Sequence, residues 1–154
     1  MSETARAPRF PDLPPVWLAV FMLGVLVLER IVPGAIARSG IGDAAGFAVM
    51  VAGVLLILWS GSLFGRASTP IHPGRTPKAL LATGPYRLNR NPIYTGMALI
   101  LGGFAMALGV WLGLVLVPLF AWIVTVRFIR AEEALLREAF ADEAERYIAN
   151  TRRW

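Results

Sequence analysis

Arg90, Asn91, Tyr94, Arg130, Glu132 and Glu133 are polar side chains that gather where two apolar runs of this sequence give way to water. An arginine holds a carboxylate through paired hydrogen bonds. A carboxylate attracts an ammonium or a sulfonium, and the face of an aromatic ring attracts a cation. Together these types match an amphoteric ligand. Taken alone, Glu132 and Glu133 also read as a solvated helix face with i, i+4 partners such as Arg137. The first group lies in residues 84–96, where a basic loop rich in Pro and Gly turns into an apolar run. Arg87 and Arg90 there are cations about one helical turn apart, Tyr86 and Tyr94 are amphipathic aromatics, and Pro92 can begin a helix without losing a needed donor.

Other chemistries find no residues. There is no Gly-x-Gly-x-x-Gly after a strand and no phosphate loop ending in Gly-Lys-Ser/Thr. The only histidine, His72, has no second His or carboxylate at ligand spacing and no Ser-His-Asp set to join. It reads as ordinary loop packing, with contact to substrate or cofactor as the alternative, and no metal site is expected. Zero cysteines exclude disulfides and thiolate chemistry.

The elements that must position the polar cluster are apolar helices. Of the 154 residues, 56% are hydrophobic and 16% charged, and the mean hydropathy is +0.61. A spanning helix takes roughly 20 mainly apolar residues, so the length allows about four spans. Residues 1–15 read as a cytoplasmic tail, followed by spans at about 16–33, 43 or 44 to 64, 93–108 and 110–128, with a basic loop over 65–92. Glu29 and Arg30 read as side chains snorkelling to the interface. The small residues of the second span, Gly46 and Gly53 among them, read as packing positions. Gly96 and Gly103 share a face, Gly109 and Gly113 form a small-xxx-small pair, and the third and fourth spans are expected to make the closely packed hairpin. Over 129–154, Leu136, Phe140 and Tyr147 recur on one side of an amphipathic helix. The expected fold is all-α, a single integral membrane bundle of four transmembrane helices with a cytoplasmic C-terminal helix.

The net charge of +5 and pI of 10.7 do not point to nucleic acid, because the basic residues fall between apolar runs rather than over a soluble face. Two Lys or Arg lie in the N-terminal tail, five in 66–90 and six from 127 onward, against Arg38 on the other side with Arg30 at its edge. The positive-inside rule puts both termini and the 84–96 stretch in the cytoplasm, with a bacterial inner membrane as the expected location.

Gly84-Pro85-Tyr86-Arg87-Leu88-Asn89-Arg90-Asn91-Pro92-Ile93-Tyr94-Thr95-Gly96 resembles the signature of the isoprenylcysteine carboxyl methyltransferase and phospholipid methyltransferase superfamily, Gly-x-Tyr/Phe-Arg-x-x-Arg-His/Asn-Pro-x-Tyr-x-Gly. The run from Arg130 through Glu132, Glu133 and Leu136 to Phe140 is similar to its second block, Arg-x-Glu-Glu-x-x-Leu-x-x-x-Phe-Gly. The resemblance covers about 65–154. It implies a membrane enzyme that uses S-adenosylmethionine without a Rossmann domain. By the same resemblance Tyr86, Arg90, Asn91, Pro92, Tyr94 and Gly96 would hold the cofactor from one side. Glu132 and Glu133 would close on it from the other, with Arg130 nearest the reacting group and Arg130 and Glu133 as the catalytic pair. The chain departs from the pattern at Asn91, where many members have a His and where an amide cannot titrate, at Ala141 in place of Gly, and at Ala144 in place of Tyr.

The expected reaction is methyl transfer to a membrane-embedded lipid or isoprenoid. O-methylation of a carboxylate is favoured, since it needs only desolvation and alignment, which can supply about 7 to 11 kcal/mol of a barrier. The alternative is N-methylation of the phosphatidylethanolamine type, with Glu132 or Glu133 as the base. A reading from another class is a non-catalytic membrane protein whose basic loop binds anionic lipid or a partner.

Overall fold

Prolines open two of the helices. Pro14 and Pro15 occupy the first turn of α1 (Pro14–Ile31), and Pro92 begins α3 (Pro92–Ala107), positions where the missing N–H has no intrahelical partner to lose. The computed structural model describes residues 12–32, 39–68 and 77–154; His72, Arg75 and Arg38, on which sequence arguments touched, lie outside them. Helix α2 (Gly40–Arg66) is capped by Ser39, whose Oγ accepts from Gly42 N at 3.0 Å. After a 3₁₀ turn over Gly84–Arg87 and α3, a 3₁₀ segment (Trp111–Val115) leads into α4 (Leu116–Val124). A π turn (Thr125–Ile129) joins α4 to α5 (Arg130–Asn150). Among the described residues the only β pairing is the single bridge between Asn89 and Arg152.

Three helical stretches are long and apolar enough to cross a membrane: α1, α2, and the run from Trp111 that continues into α5. Helix α3 is a shorter apolar helix of 16 residues. Only 17% of the apolar window of α1 and of α2 is buried inside the bundle, and Leu55, Leu58, Trp59 and Trp122 are each more than half exposed. Such faces need an apolar solvent, so this is an integral membrane protein. The core is made by Val25, Leu101, Phe120, Val124 and Ile129, all fully buried, with Phe21 edge-on to Phe120 at 5.6 Å.

The third and fourth spans pack on each other, with Gly102 against Val117 and Gly113 against Ala105, but the closest helix approach is between α2 and α3, a pairing the sequence did not indicate. Glycines spaced by seven occur on both helices, Gly46 and Gly53 facing Gly103 and Gly96. A Cβ added at Gly53 would lie 2.6 Å from the carbonyl oxygen of Gly96, and one at Gly103 2.6 Å from that of Gly46. The backbones therefore touch as small residues allow in lipid. Gly109 does not form a packing pair with Gly113; it turns the corner at φ +68°, while Gly113 faces Ala105 and Val25.

Helix α5 is not one straight amphipathic helix. Ala141 sits inside it at φ 43°, ψ −118°, a conformation that favours glycine, so the stripe of Leu136, Phe140 and Tyr147 bends there. Ala141→Gly should stabilise the protein by about 1 kcal/mol by relieving this strain. Thermal unfolding in detergent measures it, and a lower Tm would contradict the bend.

Candidate functional site

The bend at Ala141 folds the end of the chain back onto the 84–96 stretch. Thr151–Trp154 then runs alongside Asn89 to Asn91 as a strap: Arg90 N donates to Arg152 O at 2.8 Å, and Asn91 Nδ2 donates to Arg153 O at 2.9 Å. The indole N–H of Trp154 donates to Thr125 Oγ1 at 3.1 Å. Asn89 shapes the entry to α3, since its Oδ1 accepts from Asn91 N at 2.7 Å and its amide donates to Thr95 Oγ1 at 2.7 Å.

Arg90 ties these parts together. Its guanidinium donates to the carbonyl oxygens of Ile148, at 2.7 Å, and Thr151, and to Glu133 Oε1 at 2.9 Å. Glu133 is also gripped by Arg153, through Nε to Oε1 at 2.8 Å and Nη2 to Oε2 at 2.7 Å. Burial pushes the Glu133 carboxyl up, but the hydrogen bonds from Arg153 and Arg90 outweigh it and hold it below the usual range.

Glu132 is treated differently. Its partner is the hydroxyl of Tyr94, which donates to Oε1 at 2.6 Å. Burial pushes this carboxyl up to about 7, against the hydrogen bond from Tyr94 and with the added repulsion of Glu133. Glu132 thus lowers stability as pH rises from 4.5 toward 7, because the folded protein holds a proton that the unfolded chain releases. Glu133 has the opposite sign and adds stability above the ordinary carboxyl value that is lost in acid. Tyr147, raised to about 12 by burial, donates to Tyr86 O at 2.8 Å. The Tyr86 phenol is likewise raised, first by burial.

These groups line part of a cavity of about 440 Å³, within the size range of small-molecule sites. Tyr86, Arg90, Asn91, Tyr94, Glu132 and Glu133 all reach it. The rest of the wall is apolar and comes from the lead-in to α1 (Leu13, Pro14, Pro15), from Ile57 and Phe64 of α2, from Leu80 and Leu81, and from Met97, Leu135 and Leu136. Asp12 pins the lead-in to α1, accepting from Trp17 Nε1 at 2.9 Å and from both Nε and Nη2 of Arg127, at 3.1 and 2.7 Å.

Three of the residues expected at the site lie elsewhere. Pro92 is fully buried as the first residue of α3. Gly96 faces Gly53 and Ile57 of α2 rather than the cavity. Arg130 is exposed and does not line the cavity. Arg137 pairs with Glu145 at 2.7 Å, not with Glu133. The contributions of Arg153 and of the α1 lead-in were not anticipated, and only the run of two cations at 152 and 153 hinted at the first.

The family model for phospholipid methyltransferase matches residues 42–143, well over half of the chain. The chain belongs to the phospholipid methyltransferase family. No curated protein and no solved structure matches it. As a member of that family it is a membrane methyltransferase that acts on lipid. The matched region carries α2, α3, α4 and the first part of α5, hence Arg90, Tyr94, Glu132 and Glu133. The α1 lead-in and the Thr151–Trp154 strap of this phospholipid methyltransferase family protein lie outside the matched region.

Proposed function

We propose that the cavity holds S-adenosylmethionine at its polar side chains and a lipid amine beside it, and that the protein methylates the amine nitrogen. The observation that carries this reading is the unequal pair of carboxyl groups, one tied up by two arginines and one paired, among the described residues, only with Tyr94.

The residues present fit such a cofactor. Arg90 Nε is buried with no acceptor among the described residues, which leaves a cationic donor for a ligand carboxylate. Glu132 offers a carboxylate, and Tyr86 and Tyr94 offer ring faces, to cationic groups. When bound, S-adenosylmethionine supplies an electrophilic methyl group whose sulfur departs with the bonding pair.

An amine reaching the site from the bilayer arrives as an ammonium and must lose a proton before its lone pair can attack. Glu132 accepts that proton, and its raised affinity for protons suits the task near neutral pH. A carboxylate acceptor, favoured from sequence, would face a repelling Glu132, while the fork of Arg153 is already engaged by Glu133 and the remaining donor of Arg90 is taken by the carboxylate of the cofactor. The apolar wall holds the lipid chains and excludes water. The same reading has α3 crossing the membrane as a fourth span, with α5 and the strap on the cytoplasmic side, as the distribution of Lys and Arg favours.

The test is to incubate purified protein in nanodiscs containing phosphatidylethanolamine, or a prenylated or fatty carboxylic acid, with methyl-labelled S-adenosylmethionine. Label should appear in the amine lipid and survive mild alkali. Label released as methanol would mean a methyl ester and a carboxylate acceptor.

A further inference from the structure

Glu132 and Glu133 are neighbours in sequence, yet their partners come from different parts of the chain. Both oxygens of Glu133 are engaged by the fork of Arg153, and Oε1 also accepts from Arg90. Glu132 has the neutral hydroxyl of Tyr94. Arg153 reaches Glu133 from the strap, 20 residues further along and beyond the residues that match the family. The strap is fixed on both sides of it, by Arg90 N on Arg152 O, by Asn91 Nδ2 on Arg153 O, and by Trp154 Nε1 on Thr125 Oγ1. The Arg153 backbone is therefore anchored, although its side chain is 41% exposed.

We propose that Arg153 is a positioning residue for methyl transfer: its fork ties Glu133 into an Arg90–Glu133–Arg153 cluster and leaves Glu132 as the carboxyl that exchanges a proton with the acceptor. This rests on the amine reading above. The groups facing Glu132 are Tyr94 from α3, Tyr86 from the 3₁₀ turn and Glu133 on α5. Those facing Glu133 are Arg90 and Arg153, with Tyr147 close to Arg90. Without Arg153, Glu133 keeps a single cation, and its charge bears on Glu132 with less compensation. Two carboxyl groups that interact in this way titrate as a pair, and the proton on one is held more tightly. In this arrangement the strap controls the proton affinity of a group it does not touch.

The experiment is a carboxyl titration by difference infrared spectroscopy on the full-length protein in detergent, with the Glu132 band assigned by its loss in Glu132→Gln. The parent should show a midpoint near 7. Arg153→Met should raise it by about one unit. Methyl transfer to an amine lipid at pH 7 should then fall roughly five-fold and recover at higher pH. Arg153→Lys should return the midpoint toward the parent, because it restores the charge though not the fork. Glu133→Gln keeps an amide oxygen to accept from Arg90 and Arg153 and should move the midpoint downward, since two cations are then left uncompensated. Adding Arg153→Met to Glu133→Gln should bring it back up, which keeps the test open even if the single Arg153→Met variant fails to fold. A midpoint that Arg153→Met does not move in either background overturns the proposal. Failure of the amine reading would show separately, as shifted midpoints with no label in the amine lipid.

Discussion

Arg90→Ala should destabilise the protein by about 3 to 5 kcal/mol and abolish binding of S-adenosylhomocysteine. The side chains of Arg90 and Glu133 are only 8% and 5% exposed, so removing one leaves a buried charge with Arg153 alone to compensate it. The loss also frees the carbonyl oxygens of Ile148 and Thr151 and so loosens the strap. Arg137→Ala is the control. The Arg137–Glu145 pair is 43% and 58% exposed, and its removal should change stability by no more than about 0.5 kcal/mol. Thermal unfolding and calorimetric titration of both variants measure the contrast. Equal effects would mean that the buried cluster has no special role.

Gly53→Leu should have the larger effect on folding and prevent purification of a folded protein. A Cβ at Gly53 already lies 2.6 Å from the carbonyl oxygen of Gly96 and 3.0 Å from Ile100 Cγ1, so a leucine can enter only if α2 and α3 separate. Their separation would take Ile57 away from the cavity wall. Gly65→Leu on the same helix meets nothing within 4 Å among the described residues and should be tolerated. Size-exclusion profiles in detergent distinguish the two, and a monodisperse, folded Gly53→Leu protein would contradict the α2–α3 contact.

Much of the candidate site was legible in the sequence because polar residues at a membrane boundary are costly and therefore few. Arg90, Tyr94, Glu132 and Glu133 stood out between apolar runs, and their meeting at one cavity follows from placing the two boundaries on one side. What sequence spacing left open was the rotation of each helix about its axis. Tyr94 and Gly96 are two residues apart, about 200° around a helix, so when Tyr94 and Met97 face the cavity, Gly96 must face α2. The same geometry turns Arg130 away from Glu132, and the π turn just before it shifts the register by an amount that no periodicity reveals. The glycine contact was half legible, since Gly96 and Gly103 were matched to each other but their partners at Gly46 and Gly53 were read only as packing positions. Arg153 was hidden for another reason. Its contact with Glu133 depends on the bend at Ala141, a residue with no intrinsic preference for that conformation.

The most direct test of the account is the pH dependence of methyl transfer to an amine lipid, compared between the parent protein and Glu132→Gln. Glu132 ionises near 7, so the parent rate should rise about tenfold per pH unit below that point and level off above it. Glu132→Gln should be slower by about a hundredfold or more and lose the inflection. A Glu132→Gln enzyme with the parent's rate and the parent's inflection would contradict the assignment of the proton to Glu132 and, with it, the chemistry assigned to this cavity.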